Sequence, residues 1–429
     1  MTRQVMLPPL PQSTGLVAPF FEARHDAYRR DVRAALSAWT LEDAHAWDVQ
    51  GHLPKEVIAT LGRIGAFRRR WEEGPFGGVP FGLILAEETG RLSAGLGQAA
   101  MTHSDVFLGV LHYLARTPGQ LAFKEDCLDA KAVGCFSVTE ASAGSNLRGV
   151  QTTAFPTEGG GWRVRGRKKY VSNAGRGTHV IVLARAANLG NGRDLCLFLV
   201  PLDAPGVAVR GYFRKLGVNA CDTAEMDFDV QLDSDALLGT PGAGLLFADY
   251  ALQGERMFIS TQSLMAARMT LRLAIAYART REVAGEERLL QKQAIRHRLA
   301  EATARLSAAE ALLVRVVTAA MAGEQVGTET AALKLVVTRV AFDIVDEALQ
   351  VLGGRGYMTT YPIESHWRDV RLGRIGGGTD EVMRETIAFS LDAPDPEYDQ
   401  WAAGLDAADQ SVPEDELVRE AMAVLSQVP

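Results

Sequence analysis

The hydrophobic period of this chain changes twice, and that constrains the fold more than any other feature. From about residue 15 to 125, apolar residues recur at helical spacing: "LPKEVIATLGRIGAF" puts Val57, Leu61 and Ile64 on one face, and "FGLILAEETGRL" follows as a second helix. From about 134 to 240 the period falls to two. "WRVRGRKKYVSNA" and "THVIVLARA" have strand composition, and "EMDFDVQL" alternates Met226, Phe228, Val230 and Leu232 with polar residues. Clusters of Gly, Pro and Asn separate these runs, which predicts an antiparallel barrel or sandwich. From about 243 to 391 helical spacing returns, and "ALKLVVTRVAFDIVDEALQVLGG" exits at Gly353 and Gly354. Helix, then β, then helix predicts an α+β fold with segregated layers. The expected domains are 1–133 (helical), 134–242 (β), 243–391 (helical bundle) and an acidic tail, 392–429, with a short helix over 414–426.

Composition narrows the function classes. The 429 residues, 47% hydrophobic, suffice for a large core and more than one domain. A net charge of −7 argues against a general nucleic-acid binder. Cys127, Cys135, Cys196 and Cys221 contain no C-x-x-C and read as reduced thiols, not as a disulfide frame or metal site. "MTRQVMLPPLPQSTG" lacks the apolar centre of a secretory signal, and no apolar run is long enough to span a membrane. A cytoplasmic location is expected.

Three stretches could carry chemistry. "GCFSVTEASAGSNLRG" is a strand ending in small and hydroxylated residues, where backbone N–H groups can approach an anion or a flat ring; an ordinary surface turn has the same composition. "YARTREVAG" puts Arg279 and Arg281 at a helix end, where compensation of the helix dipole accounts for them and a phosphate fork is the alternative. In "RLGRIGGGTDEVMR", Thr379 is a credible N-cap, and Asp380 and Glu381 suit the positive end of a helix. That leaves Gly376, Gly377 and Gly378 unexplained. The chain has no G-x-G-x-x-G opening a helix, no Walker loop, no H-E-x-x-H and no G-x-S-x-G, and His297 reads as an ordinary helix residue.

Taken together, these segments resemble the acyl-CoA dehydrogenase family over about residues 50 to 390. "CFSVTEASAGSN" is similar to its first signature, which lines the flavin. "QVLGGRGYMTTYPIESHWRDVRLGRIGGGTDEVMRETIA" is similar to its second, with Gln350, Gly353, Gly354, Tyr357, Pro362, Arg368, Asp369, Gly378 and Thr379 in step. "KKYVSNAGRGTHVIVLAR" matches the strand beside the isoalloxazine ring. The resemblance implies a helical N-terminal domain, a central β-domain and a C-terminal four-helix bundle. It also implies FAD held between the last two, usually across a subunit contact in a homotetramer (or homodimer). Phe136, Val138, Thr139, Gly144, Ser145, Tyr170, Val171 and Ser172 fall on flavin positions. Arg281, Gln293, Gln350, Gly353 and Gly354 fall on positions that reach a neighbour's cofactor, and Thr379 and Glu381 on contacts at the helix start. Ser145, Gln253, Arg256, Gly377 and Gly378 fall beside the substrate.

Most of the family carries its catalytic glutamate immediately before the Gly-Thr of the second signature. Here that position is Gly377. A minority, resembling isovaleryl-CoA and long-chain dehydrogenases, supply the carboxylate from an "ER" pair on an earlier helix, and "YALQGERMFIS" has Glu255 and Arg256 there. A surface glutamate in a salt bridge is the bland alternative for Glu255. The resemblance implies that Glu255 takes the α-proton of an acyl thioester while flavin accepts hydride from the β-carbon, leaving a trans-2-enoyl thioester. A ribitol hydroxyl and the Glu255 backbone N–H would polarise the thioester carbonyl. Electrons would pass to electron transfer flavoprotein or another acceptor.

The chain also departs from the family pattern. After Arg281 the usual phenylalanine is missing and one residue is inserted before Gln293; Gln253 replaces a common Asp, and Asn219 and Cys221 replace a common Arg and Ser. The last three fall where a thioester's handle is expected, so an acyl carrier protein is an alternative to CoA. Two other classes stay open: a flavin monooxygenase or oxidase, and a non-catalytic acyl-binding protein.

Overall fold

A computed structural model describes residues 15–190, 194–283, 287–359, 363–411 and 414–425. The chain resolves into two units, 1–384 and 385–429. The first begins with helices. Among them Val79–Leu92 is buried along its whole length, although it carries Glu87, Glu88 and Arg91. The two carboxylates are paired: Arg29 Nη1 lies 2.7 Å from Glu87, Arg33 Nη2 2.6 Å from Glu88, and Arg268 Nη1 2.9 Å from Glu87. Such charges are tolerated inside a protein only when paired this well, and here they tie the N-terminal helices to the helix that carries Arg268.

Among the described residues the middle of the chain forms eight strands: β1 (Gly134–Ser137), β2 (Thr153–Pro156), β3 (Trp162–Ser172), β4 (His179–Ala186), β5 (Leu195–Pro201), β6 (Val207–Tyr212), β7 (Thr223–Leu232) and β8 (Leu237–Leu238). Their order is β6-β7-β3-β2-β4-β5-β8, with β1 also on β4. The expectation of an antiparallel barrel or sandwich is corrected in two respects. Both β1 and β2 run parallel to β4, so the sheet is mixed, and among the described residues no pairing of β6 with β8 closes it. Alternation reports which face of a strand is buried and says nothing about strand direction. Parallel pairing needs a long return path, and between β1 and β4 the β2–β3 hairpin supplies one. β4 lies inside the sheet, buried on both faces, as its unbroken "HVIVLA" suggests.

Three long helices follow, Gly244–Thr280, Gln293–Met321 and Gly327–Leu352, and then the short helices Ile363–Val370 and Asp380–Ala388. The long helices meet through small and branched residues, among them Ala267, Ala274, Val317, Val337 and Ala341. Small side chains let the helix axes approach closely, and the branched ones fill the grooves. Helices Pro396–Ser411 and Glu414–Leu425 belong to the second unit, the latter where the sequence predicts one.

Candidate active site

Gly377 and Gly378 both have positive φ, +64° and +100°, which makes glycine the residue of choice at each. They turn the chain sharply into helix Asp380–Ala388, where Thr379 Oγ1 accepts from the Val382 N–H at 3.3 Å. Glu255 lies on helix Gly244–Thr280. A Cβ on Gly377 would stand 3.5 Å from Glu255 Cγ and Cδ, and equally far from Ile259 Cδ1. The bare glycine therefore faces the Glu255 carboxyl directly. Arg256 Nε donates to the Gly377 carbonyl at 3.1 Å, and Lys334 Nζ donates to the Gly378 carbonyl at 2.6 Å. Burial pushes Glu255 up to about 7, against the pull of the Lys334 and Arg256 charges. A carboxyl poised near neutrality, with no side chain opposite it at Gly377, can exchange a proton with a bound molecule.

The small-residue loop is shaped from below. Glu140 is buried and accepts from the Gln151 N–H at 2.7 Å, the Thr152 N–H at 3.0 Å, Thr152 Oγ1 at 2.6 Å and Lys168 Nζ at 2.8 Å. Burial alone would raise its pKa, but these donors outweigh burial and hold it below the usual carboxylate range. With Glu140 pinned, Gly144 and Ser145 are left exposed, and no atom lies within 4 Å of where a Gly144 Cβ would be. Beside this loop, the Lys169 N–H donates to the Thr139 carbonyl at 2.9 Å. Tyr170 has φ +62°, sits where the β3–β7 register shifts, and is 60% exposed, its ring 5.1 Å from that of Phe213. A bulky residue held in that conformation stores strain, a frequent mark of a functional site. Phe136, Val138, Thr139 and Ser172 are half-buried, and Val171 is buried. An open glycine, the exposed Ser145 and the exposed Tyr170 ring fit a flat, hydrogen-bonding cofactor.

Three family models match in chain order: the N-terminal, middle and C-terminal domains of acyl-CoA dehydrogenase, over residues 22–118, 135–230 and 242–391. The acyl-[acyl-carrier-protein] dehydrogenase MbtN of Mycobacterium sp. (strain MCS) is 31% identical over 375 residues, 87% of this chain and 93% of that protein. The chain belongs to the acyl-CoA dehydrogenase family. The mitochondrial short-chain specific acyl-CoA dehydrogenase of Bos taurus is 31% identical over 309 residues, 72% of this chain and 74% of that one. Among solved structures, an acyl-CoA dehydrogenase from Geobacillus kaustophilus superposes with TM-score 0.83 at 27% identity, covering 88% of this chain and all of that one. Butyryl-CoA dehydrogenase from Megasphaera elsdenii gives 0.80 at 25% identity, over 86% and 98%.

The remaining residues singled out on the resemblance to acyl-CoA dehydrogenases lie in two places. Thr379, half-buried, and Glu381, exposed, follow the Gly377–Gly378 turn. Arg281, Gln293, Gln350, Gly353 and Gly354 are all exposed. Arg355 stacks over Tyr277 at 5.5 Å, which brings the glycine pair to the Arg281 end of helix Gly244–Thr280. Arg281 is 26 residues beyond Glu255, about 39 Å at the helical rise. Pro362 and the segment 284–286 lie outside the described residues.

Two expectations need correction. The Glu255 N–H falls within helix Gly244–Thr280, where it belongs to the i→i−4 ladder, so it is not free to polarise a carbonyl; the nearby amides of Gly377 and Gly378 lie outside any helix. Cys221 cannot touch a thioester's handle either. It is 1% exposed, its thiol points to Asn173 Oδ1 at 3.8 Å, and burial pushes it up to about 12. Asn219 accepts from the Lys215 N–H at 3.3 Å, and Gln253 donates to Asp249 at 3.2 Å.

Sequence reasoning did not single out Lys168 or Lys334, and it read Glu140 only as half of a flavin-lining Thr-Glu pair, whereas the structure buries it. A signal existed for Lys168: in β3 it shares the inward parity of Trp162 and Val164, so alternation alone buries a lysine that must then find a partner. For Lys334 the helical spacing of Leu333 and Val337 gives a weaker hint.

Proposed function

We propose that this chain is an FAD-dependent dehydrogenase of acyl thioesters, with Glu255 as the base that takes the α-proton. The observation that carries this reading is the contact between the Glu255 carboxyl and the bare face of Gly377, the position where the family resemblance leads one to expect a glutamate. When bound, FAD supplies the hydride acceptor for the β-carbon. The chain's residues do the rest. Glu255 accepts the proton at a carboxylate whose burial has moved it to about 7, so near neutral pH it is both available and basic. We assign polarisation of the thioester carbonyl to an amide of the Gly377–Gly378 turn. Thr139, Gly144, Ser145 and Tyr170 would hold the flavin on the β-domain side, and Thr379 on the helical side. The product is a trans-2-enoyl thioester.

The separation of about 39 Å between Glu255 and Arg281 along the helix supports an assembly. One flavin cannot readily touch both ends of the helix, so Arg281, Gln293, Gln350, Gly353 and Gly354 would serve the cofactor of a second copy, in a homotetramer or homodimer. The resemblance to MbtN supports an acyl group on a carrier protein, with Gln253 beside its arm, and electron transfer flavoprotein is the acceptor the family pattern favours. The four buried free thiols support a reducing compartment, hence the cytoplasm. We read the domains as 1–133, 134–242, 243–391 and 392–429.

An anaerobic screen of acyl-CoAs and carrier-bound acyl groups, following loss of flavin absorbance, tests the activity. Bleaching by at least one thioester is expected, and none with any acyl group would refute the reading. Comparing kcat/KM for one acyl group on both handles tests the carrier, whose extra contacts should raise the value. Equal values leave an ordinary CoA enzyme.

A further inference from the structure

Lys334 has no place in the chemistry described so far, yet it is fully buried on helix Gly327–Leu352. An ammonium in such a place is costly unless something requires it. Its Nζ donates to the Gly378 carbonyl at 2.6 Å, while Arg256, 4% exposed and on a different helix, donates to the preceding carbonyl, that of Gly377, at 3.1 Å. Two cations from two helices thus grip consecutive carbonyls of a turn in which both residues have positive φ. A peptide unit is planar, so fixing its carbonyl also fixes the N–H on its opposite side. Freed from this grip, the turn could rotate and present a carbonyl to Glu255.

We infer that Lys334 is a positioning residue for the reaction: with Arg256 it locks the Gly377–Gly378 turn in the conformation that faces the Glu255 carboxyl. The inference rests on the reading of Glu255 as the base. The groups facing Lys334 are Glu255 and Arg256 from one helix and Asp380 and Glu381 from the start of another. Asp380 is held by Arg374 at 2.9 Å, and Arg256 also reaches Asp249 at 3.2 Å. Burial lowers Lys334 to about 8, so it is still cationic at pH 7, where it opposes the upward push of burial on Glu255. Without its charge, Glu255 should titrate higher and be protonated more at neutral pH. Above pH 9 Lys334 is itself mostly neutral, so parent and variant should converge.

The test uses the FAD-loaded enzyme with Lys334→Gln, which keeps a donor for the Gly378 carbonyl but no charge, Lys334→Met, which keeps neither, and Lys334→Arg, which keeps both. In Lys334→Gln the apparent pKa of flavin bleaching should rise by about one unit, a roughly tenfold loss at pH 6.5 that disappears by pH 9. Lys334→Met should show the same shift plus a loss at every pH, and Lys334→Arg should restore the parent profile. The infrared carboxyl band of Glu255, identified by its absence in Glu255→Gln, should titrate at correspondingly higher pH in Lys334→Gln, independently of turnover. A band that does not move, or a loss in Lys334→Gln that is the same at all pH values, overturns the inference. Parent-like bleaching in Glu255→Gln would instead overturn the reading of the base.

Discussion

The two ends of helix Gly244–Thr280 present opposite surfaces. Toward its start, Glu255 and Arg256 meet Lys334 and the Gly377–Gly378 turn in a setting where burial shifts two ionisable groups toward neutrality. At its far end, Arg281 is exposed beside the open glycines Gly353 and Gly354. Desolvation makes the first end a place for proton transfer. The second offers a charge and bare backbone with no chemistry of its own, as a surface that completes someone else's site would. On the proposed reading, this helix separates reaction from cofactor retention, which predicts that the two break independently.

The largest effect belongs to the first end. Glu255→Gln keeps the shape but cannot accept the α-proton, so flavin bleaching in rapid mixing should slow by about 10²–10⁴ with FAD content unchanged. Adding Gly377→Glu to that variant should recover part of the rate, because the new carboxylate enters the same space. Recovery should stay incomplete: a side chain at φ +64° costs about 1–2 kcal/mol, which a lower Tm would report. Bleaching in Glu255→Gln at the parent rate would move the base elsewhere, with Asp380 or Glu381 next to test.

At the second end, Arg281→Ala should weaken FAD retention by about 1.5–3 kcal/mol, through loss of a charge-assisted bond to phosphate. Single-turnover chemistry in the molecules that still hold FAD should be unaffected. If Arg281 serves a neighbouring copy, the FAD loss should also deepen on dilution as the assembly dissociates. Unchanged retention would remove Arg281 from the cofactor site.

The smallest effect is on stability. The folded pKa of Glu255 is raised above its unfolded value, so the folded state binds the extra proton between about pH 4.5 and 7. Its contribution is present in full below that window and is lost as pH rises through it. Relative to Glu255→Gln, which does not titrate, the parent should therefore lose Tm between about pH 4.5 and 7. A constant difference would mean that burial does not shift Glu255.

Much of this was legible without coordinates. The order helix, strand, helix follows from hydrophobic period, and the two signatures with Gly377 in place of a glutamate single out the "ER" pair, because both are local patterns. The direction of β1 and β2 was not legible: alternation is the same for either direction, and the β2–β3 hairpin that makes parallel pairing feasible acts through the path of the chain. Neither was the burial of Cys221, which sits among strands and loops from distant parts of the sequence.

Hydrophobic period and two local signatures suffice for the layers, the family and the absence of a carboxylate at Gly377. What faces that glycine depends on packing. Arg256 and Gly377 are 121 residues apart, and no local period predicts that a turn bare of side chains will close on the carboxyl next door to Arg256. Only folding buries Glu255 among Lys334 and Arg256, and that burial moves its proton affinity toward neutral pH. The low dielectric and the opposing charges are properties of packed neighbours, which a linear order of residues does not contain.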